Sequence, residues 1–213
     1  MKKFSVVIPT MWFSHRTESL IKDLCDVESV SEVIVIDNNH GAAPDLPGND
    51  KLIVLVQDEN IYVNPAWNLG VAKSKEENIC LLNDDVSSDW AELFGHMSSI
   101  EDDKYCIGVH PVSYQHKETG VRVVDGSSVG RGWGCCIFLS KNHWQNIPEN
   151  IKIYYGDNFL VDVYGDAKSF MGWIETEMST TSRSPRLTRD QDYCDILSSD
   201  SLNYEAWKSS NNI

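Results

Sequence analysis

Short apolar runs alternate with amphipathic segments along the first half of the chain. The runs predict buried strands at residues 4–8, 33–36, 52–56 and 79–82, the first of them stopped by Pro9. Helical spacing predicts helices at residues 17–27 and 65–72 and a third after residue 88, with Thr17 and Ser88 as expected caps. Continuous β-branched runs that alternate with helices are typical of a parallel sheet covered on both faces.

The second half of the chain has a different pattern. Apolar runs predict strands at residues 107–110, 112–114, 121–124 and 136–139, and Gly156 opens an amphipathic helix that continues to residue 163. Residues 175–189 are rich in Ser, Thr and Arg, which predicts a flexible loop, and one or two helices follow at 192–197 and 202–207. The whole pattern predicts an α/β fold in a single domain, with a mixed, mostly parallel sheet flanked by helices.

Polar clusters directly follow three of the predicted strands. They are Pro9-Thr10, Asp37-Asn38-Asn39 and Asn83-Asp84-Asp85. Because ligands of open α/β sheets bind beyond the carboxyl ends of the strands, we expect the three clusters to converge on one rim.

The cluster Asn83-Asp84-Asp85 carries the clearest candidate chemistry. Two carboxylates at the end of a buried strand repel each other unless a cation or protons neutralise them. Mg²⁺ and Mn²⁺ accept one or two carboxylates and keep coordination positions for a diphosphate. The alternative is that these acids only cap the turn or the next helix.

Composition and charge narrow the classes of partner. The 213 residues carry a formal net charge of −14, which disfavours broad binding to nucleic acid or to anionic bilayers. Residues 1–10 lack the long apolar region of a signal peptide, and no apolar stretch is long enough to span a membrane. The six cysteines form no C-x-x-C pair. We therefore expect reduced thiols in a cytoplasmic protein.

Several motifs occur in an order that resembles a known family. They are V-V-I-P-T at 6–10, V-I-D-N-N at 35–39, E-N-I-Y-V-N-P-A-W-N-L-G at 59–70, N-D-D at 83–85 and G-D-N at 156–158. The chain resembles the inverting glycosyltransferases of the GT-A fold, the large family-2 group, over roughly residues 4 to 165. The resemblance implies a GT-A (Rossmann-like) fold and the transfer of a sugar from a nucleotide-diphosphate sugar.

The resemblance also assigns roles to individual residues. Asp85 would be the principal ligand of a divalent metal, Mn²⁺ or Mg²⁺, and a UDP-sugar is the expected donor. The nucleotide would be bound by Pro9, Thr10, Trp12, Asp37, Asn39, Asn60, Asn68 and Asp84. The alternatives are a core position for Trp12 and a simple turn for Asp37. Two departures from the family pattern are Asn83, in place of the first acid, and Ile61, in place of the glycine expected after Asn60.

Asp157 is the expected general base. The family places a carboxylate at this position, usually in an E-D pair, and here Gly156 replaces the first acid. Such a base lowers the barrier by taking the proton of the acceptor hydroxyl as the new bond forms. The alternative is that Asp157 only caps the helix that it opens.

Residues 130–134 have the sequence G-R-G-W-G, from which we expect the substrate-binding residues Gly132, Trp133 and Gly134. Glycines allow close backbone approach, and the ring of Trp133 offers an apolar face on which a sugar could stack. A bulged turn with a core tryptophan is the alternative.

The arginines of the predicted loop, Arg183, Arg186 and Arg189, are candidates for closing over the donor diphosphate, and a solvated surface loop is the alternative. We expect residues 1–174 to form the nucleotide-sugar-binding and catalytic domain. Residues 175–213 would then be the Arg-containing loop and a C-terminal helical appendage.

Two other functions fit parts of the pattern. A sugar nucleotidyltransferase would need a glycine-rich, Arg-containing loop after the first strand, and residues 9–13 do not form one. A catalytically inactive module that binds nucleotide-sugars or carbohydrates would explain both Asn83 and Gly156. For an active transferase, a saccharide is the expected acceptor and a modified base in DNA is the alternative acceptor.

Overall fold

The structure is a computed structural model that describes residues 1–41, 43–46, 48–114, 120–126, 132–177 and 191–213. Its strands are β1 (Phe4–Thr10), β2 (Val30–Asp37), β3 (Leu52–Val56), β4 (Asn78–Leu82), β5 (Val86–Ser88), β6 (Cys106–Val109), β7 (Arg122–Val124), β8 (Cys136–Ser140), β9 (Lys168–Met171) and β10 (Ile174–Thr176). Its α-helices are α1 (Thr17–Asp26), α2 (Val63–Lys73), α3 (Trp90–Ser98), α4 (Gly156–Tyr164) and α5 (Gln191–Asn211). Three short 3₁₀ turns cover Pro111–Tyr114, Trp133–Cys135 and Lys141–His143.

Eight of the strands form one central sheet in the order β3-β2-β1-β4-β8-β6-β9-β7. The half made by β3, β2, β1 and β4 is parallel throughout, whereas β8 pairs antiparallel with both β4 and β6. A second, two-stranded sheet joins β5 to β10. The predicted α/β fold with a mixed, mostly parallel sheet is confirmed.

Helices cover both faces of the sheet, so that each face has its own core. On one face α1 and α3 pack over β1 and β8, and the rings of Phe4, Phe94 and Phe138 meet edge to face at centroid distances of 5.1–5.6 Å. On the other face α2, α4 and α5 contribute Trp67, Phe159 and Tyr204. This burial of apolar area on two faces holds the strand ends in fixed positions.

The first and third strands differ from their predictions. β1 continues through Pro9 to Thr10, because β4 pairs with β1 only as far as Val7 and a proline is tolerated where a strand has one neighbour. β3 is an edge strand of the central sheet, with Ile53 and Val56 exposed, so the prediction of a buried strand was wrong. An apolar run does not by itself reveal which strand lies at the edge.

Two predicted helix caps and one predicted strand were also wrong. Thr17 does not cap α1, since its hydroxyl donates to the carbonyls of Ser14 and Asp84. Ser88 lies in β5, and Asp89 caps α3 by accepting the N–H of Glu92 at 3.0 Å. Residues 112–114, predicted as a strand, form part of a 3₁₀ turn. The one or two helices predicted after residue 191 are a single helix, α5.

Among the described residues, no helix combines the length and the apolar character that crossing a membrane requires. The cysteines are free thiols, and all of them except Cys194 are buried.

Candidate active site

The carboxyl ends of β1, β2 and β4 bring the predicted polar clusters to one edge of the sheet. Thr10 and Asp37 are register partners at the ends of β1 and β2. The hydroxyl of Thr10 donates to Oδ2 of Asp84, in the turn after β4, at 2.5 Å. The predicted convergence of strand ends is therefore present in the structure.

A cleft of about 300 Å³ opens at this edge. Five of the predicted site residues line it: Pro9, Thr10, Asn60, Asp84 and Asp85. Asn38 and Asn83, members of the predicted polar clusters, line it as well. It is also lined by residues that the sequence did not single out: Met11, Phe13, Ser14, Tyr62, Val63, Ile153 and Tyr193. A concave site with apolar walls and a few converging polar groups is typical of a small-molecule site.

The two carboxyls of the cleft share a poorly solvated environment. Burial, together with the neighbouring charge of Asp85, raises the pKa of Asp84 to about 6, while the Thr10 hydrogen bond opposes the shift. Burial also raises the pKa of Asp85, which is 5% exposed. Two adjacent buried carboxyls of this kind favour either a proton or a cation between them.

The acidic pair fits a divalent cation that also binds a diphosphate. The described part of the chain has no group of three or more His, Cys, Asp or Glu side chains around one point. Asp84 and Asp85 could therefore supply at most two carboxylate ligands, which is the number that Mg²⁺ accepts when phosphates and water fill its other positions.

A third carboxyl, Glu177, acts on this pair electrostatically, without forming a three-residue metal group with it, and the sequence did not indicate it. The charge of Glu177 contributes to the raised pKa values of both Asp84 and Asp85. Glu177 is itself paired with His15 at 2.8 Å and with Arg16 at 3.4 Å, so two basic groups flank the acidic turn. Because Glu177 lies more than 90 residues from these partners, no local motif could have revealed the group.

Asp37 does not line the cleft. Its carboxylate is fully buried and accepts the backbone N–H groups of Asn39 at 2.9 Å and of Gly41 at 3.2 Å. The expectation that Asp37 contacts the nucleotide was wrong, and the alternative of a turn residue is correct. The next residue, Asn38, reaches the cleft and donates to the carbonyl of Tyr62.

Three other residues predicted to bind the nucleotide lie outside the cleft lining. Trp12 packs against the core, which was its alternative assignment, and Asn39 donates to the carbonyl of Met11 at 3.1 Å. Both amide atoms of Asn68 are bonded to the backbone of Ile147, at 2.8 and 2.9 Å. These contacts fix the surrounding loops, and the direct contact of the three residues with a nucleotide stays a prediction.

The glycine position of the N-x-G motif falls on Tyr62, two residues after Asn60, and not on Ile61 as expected. Tyr62 has φ 68° and ψ −179°, a region of backbone conformation that only glycine adopts without strain. Its N–H is held by Oδ1 of Asn60 at 2.8 Å. The chain thus keeps a glycine-type backbone while placing an aromatic ring at the cleft.

Asp157 lies beside Gly134, next to the segment that leads into β8. A β-carbon at Gly134 would lie 3.1 Å from Oδ2 of Asp157. Burial of the Cys135 thiol, together with the charges of Asp85 and Asp157, raises the pKa of this thiol to about 12. Asp85 and Asp157 therefore act on the same buried cysteine, although Asp157 is not part of the cleft lining.

The carboxyl of Asp157 is partly buried at the start of α4. Burial raises its pKa above the usual range, against the hydrogen bond that Oδ1 accepts from the N–H of Asn158 at 2.9 Å. A carboxyl whose pKa is raised toward neutrality is a better proton acceptor than an ordinary surface aspartate.

Trp133 does not offer a face to a sugar. The ring is fully buried against Gly108, and its Nε1 donates to the carbonyl of Lys168 and to Oγ of Ser169, each at 3.2 Å. The stacking role was wrongly expected, and the alternative of a core tryptophan is correct. Gly132 has φ 92°, and its carbonyl accepts the hydroxyl of Tyr114 at 2.6 Å, so the glycine is required by the turn.

Packing explains why position 156 is a glycine. A β-carbon at this position would overlap Oδ1 of Asn64, a fully buried side chain of α2. The absence of an acid at position 156 is therefore matched by the presence of an amide from another element. The predicted diphosphate contacts Arg183, Arg186 and Arg189 lie outside the described residues.

Comparison with known proteins gives similarity at the level of fold. No protein-family model and no curated protein matches the chain. The chain is similar to TarS from S. aureus, with a TM-score of 0.54 and 15% identity over 80% of this chain and 36% of TarS. It is similar to HddC from Yersinia pseudotuberculosis, with a TM-score of 0.53 and 14% identity over 83% of this chain and 93% of HddC.

A third similar structure is GalNAc-T7 with UDP, GalNAc and Mn²⁺, with a TM-score of 0.56 and 12% identity. This match covers 83% of the present chain and 45% of GalNAc-T7. The chain thus spans well under two thirds of TarS and of GalNAc-T7. Its fold is the GT-A fold of glycosyltransferases, as the motifs predicted.

Proposed function

We propose that the chain is a family-2-like glycosyltransferase, metal-dependent and inverting, that moves a sugar from a nucleotide-diphosphate sugar to an acceptor hydroxyl. The observation that carries the proposal is the pair Asp84 and Asp85 in a cleft at the carboxyl edge of a GT-A sheet. A UDP-sugar is the proposed donor, and a saccharide is the proposed acceptor.

Asp85, with Asp84 beside it, would hold a Mn²⁺ or Mg²⁺ ion. When bound, this ion supplies positive charge that stabilises the departing nucleoside diphosphate. Thr10 fixes the orientation of the Asp84 carboxylate through the 2.5 Å hydrogen bond. The apolar and aromatic residues Pro9, Phe13 and Tyr62 give the cleft walls against which a nucleoside can lie.

Asp157 would take the proton of the acceptor hydroxyl. In this step the bond between the anomeric carbon and the diphosphate oxygen breaks, the bond to the acceptor oxygen forms, and the proton passes to the carboxylate. Attack from the face opposite the leaving group inverts the anomeric carbon. The raised pKa of Asp157 supports this role, since it makes the carboxylate more basic than a surface aspartate.

The packing of Gly156 gives a structural reason for the glycine that does not require lost activity. Here Asn64 occupies the space of a side chain at this position and binds the neighbouring backbone, at the carbonyls of Ile151 and Tyr154. The absence of an acid at position 156 is therefore part of a built arrangement.

A donor-hydrolysis assay tests the proposal, because transferases release donor sugar slowly to water. The wild-type protein is incubated with a panel of UDP- and GDP-sugars and Mn²⁺, and the released nucleoside diphosphate is measured. We expect release from at least one donor, loss of release in Asp85→Asn, and a loss of roughly 10²-fold or more in Asp157→Asn. Asp89→Asn, which changes only the cap of α3, is the matched control and should retain the rate.

Binding of a nucleotide-sugar without any release of diphosphate, in the presence of acceptors as well as water, would favour the inactive binding module. Equal rates in Asp157→Asn and in the wild type would remove Asp157 from the mechanism.

A further inference from the structure

Asp200, a residue of α5, binds three consecutive backbone N–H groups of the segment that precedes α4. Its carboxylate is fully buried and accepts from Lys152 at 2.8 Å, from Ile153 at 2.8 Å and from Tyr154 at 2.9 Å. Hydrogen bonds from N–H groups to an ionised carboxylate are shorter and stronger than neutral ones. This one side chain therefore fixes the local backbone of residues 152–154.

Asn64 holds the same segment from the side of α2. Its Nδ2 donates to the carbonyls of Ile151 and Tyr154, each at 3.2 Å, and its backbone N–H donates to the carbonyl of Lys152 at 2.9 Å. The segment 151–154 is thus hydrogen-bonded to two helices that are far apart in sequence. Its N–H groups donate to Asp200 of α5, and its carbonyls accept from Asn64 of α2.

The clamped segment connects the cleft to the proposed base. Ile153 lines the cleft, Tyr155 follows with φ 62°, and Gly156 begins α4 one residue before Asp157. The ring of Tyr155 stacks on Tyr204 of α5 at a centroid distance of 5.2 Å. The position of residues 152–154 therefore sets where α4 begins and where Asp157 stands.

The helix that carries Asp200 also reaches the cleft directly, through Tyr193. α5 thus contacts the site at two places: a side chain in the cleft wall and a carboxylate under the segment that leads to Asp157.

We propose that Asp200 is a positioning residue for the sugar-transfer step, acting through the backbone of residues 152–154 on Asp157. The inference rests on the proposed function, and it assigns α5 a role in catalysis beyond packing. Asp200 touches no substrate in this proposal; it preorganises the group that does.

α5 offers a matched control for this proposal. The hydroxyl of Tyr204 donates to Oδ2 of Asp162 at 2.6 Å, and Lys208 pairs with the same carboxylate at 3.5 Å. These bonds attach α5 to α4 without touching residues 152–154. Tyr204→Phe therefore removes a buried polar contact of the same helix. It leaves intact the clamp, by which we mean the hydrogen bonds of Asp200 to the N–H groups of residues 152–154.

The experiment compares the full-length wild type, Asp200→Asn and Tyr204→Phe by amide hydrogen exchange and by donor turnover. In Asp200→Asn we expect the amides of residues 152–154 to exchange at least tenfold faster. We expect kcat to fall at least tenfold, while the KM for the donor and the affinity for UDP stay within threefold. Tyr204→Phe should leave the exchange of residues 152–154 and kcat within twofold of the wild type.

Several results would overturn the proposal. One is a kcat of Asp200→Asn equal to that of the wild type despite faster exchange, and another is an equal loss of kcat in Tyr204→Phe. A loss that appears only in KM would indicate a binding role and not a positioning one.

The wild type alone gives a further test that does not depend on the folding of a variant. Its amides at residues 152–154 should be protected as strongly as those of α4, and exchange at the rate of free amides would contradict the clamp. If the wild type turns over no donor, the proposed function fails and the positioning role fails with it. The exchange data would then still report on the clamp separately.

Discussion

The hydroxyl of Thr10 donates to Oδ2 of Asp84 at 2.5 Å and so joins the end of β1 to the acidic turn after β4. Oγ1 of Thr10 also accepts the N–H of Trp12 at 2.8 Å, which fixes the orientation of the hydroxyl. Because the donated bond favours the ionised carboxylate, it opposes the rise in the pKa of Asp84 that burial causes. Thr10 therefore helps to keep negative charge in the cleft at neutral pH.

Replacing Thr10 with valine removes this bond with little change in volume. We expect Thr10→Val to lower the free energy of unfolding at pH 7.5 by about 1–2 kcal/mol, because an ionised buried acceptor loses its donor. The loss should be smaller at pH 4.5, where Asp84 is protonated. Urea unfolding at the two pH values measures the difference. Thr10→Ser, which keeps the hydroxyl, should restore most of it, and an equal loss at both pH values would contradict this role of Thr10.

The raised pKa of Asp84 predicts a pH dependence with a definite sign. The folded state holds the proton up to about pH 6 and the unfolded chain only up to about pH 4. The stabilisation is thus complete below pH 4 and is lost as the pH rises through 6. Asp84→Asn lacks this loss, so without metal its free energy of unfolding should exceed that of the wild type at pH 7.5 by on the order of 1–3 kcal/mol.

The comparison of Asp84→Asn with the wild type at pH 4 is the control, since both side chains are then neutral and the two stabilities should converge. If Asp84→Asn is less stable than the wild type at pH 7.5, the ionised carboxylate of Asp84 does not destabilise the folded protein and its pKa is not raised.

The sequence predicted the strand ends better than the side chains that complete the site. β1, β2 and β4 each contain a short apolar run, and the rule for parallel sheets then brings Thr10 and Asp84 to one edge. Local pattern does not indicate whether a polar side chain at such an edge faces the ligand or its own backbone. The carboxylate of Asp37 binds its own backbone, and the sequence would be the same if this carboxylate faced the ligand.

The contacts of Asn64 and Asp200 could not be predicted for another reason. They link residues that are 46 to 90 positions apart. An asparagine or aspartate in a helix is also common on an exposed face, so the residue type alone does not indicate a buried contact. Trp133 gave a wrong expectation because a tryptophan flanked by glycines can pack under the sheet or face the solvent. The room for its ring comes from Gly108, which is distant in sequence.

The backbone of Tyr62 makes a prediction that compares two small residues. With φ 68° and ψ −179°, this position should be more stable with glycine than with alanine, because alanine retains the strain. We expect Tyr62→Gly to have a free energy of unfolding about 1 kcal/mol above that of Tyr62→Ala, with thermal or urea unfolding as the measurement. Lys22 lies on the exposed side of α1, where the alanine variant should instead be more stable than the glycine variant by about 1 kcal/mol. The same order at both positions would contradict a glycine-type backbone at Tyr62.

The contact of Gly156 with Asn64 predicts that even a methyl group is too large at position 156. Gly156→Ala should lower the free energy of unfolding by about 1–3 kcal/mol, because the added β-carbon displaces a buried amide. Gly95→Ala is the control: nothing lies within 4 Å of a β-carbon there, and alanine in α3 should stabilise the protein by about 0.5–1 kcal/mol. Equal effects of the two substitutions in urea unfolding would contradict the packing of Asn64 against Gly156.

The most direct test of the central claim is calorimetric titration of UDP with and without Mn²⁺, for the wild type and for Asp85→Asn. If the carboxylates at the sheet edge hold a cation against a diphosphate, Mn²⁺ should raise the affinity of the wild type for UDP at least tenfold, which corresponds to about 1.4 kcal/mol. The same addition should leave Asp85→Asn nearly unchanged. An affinity that is independent of Mn²⁺ in the wild type, or a full Mn²⁺ effect in Asp85→Asn, would contradict the claim.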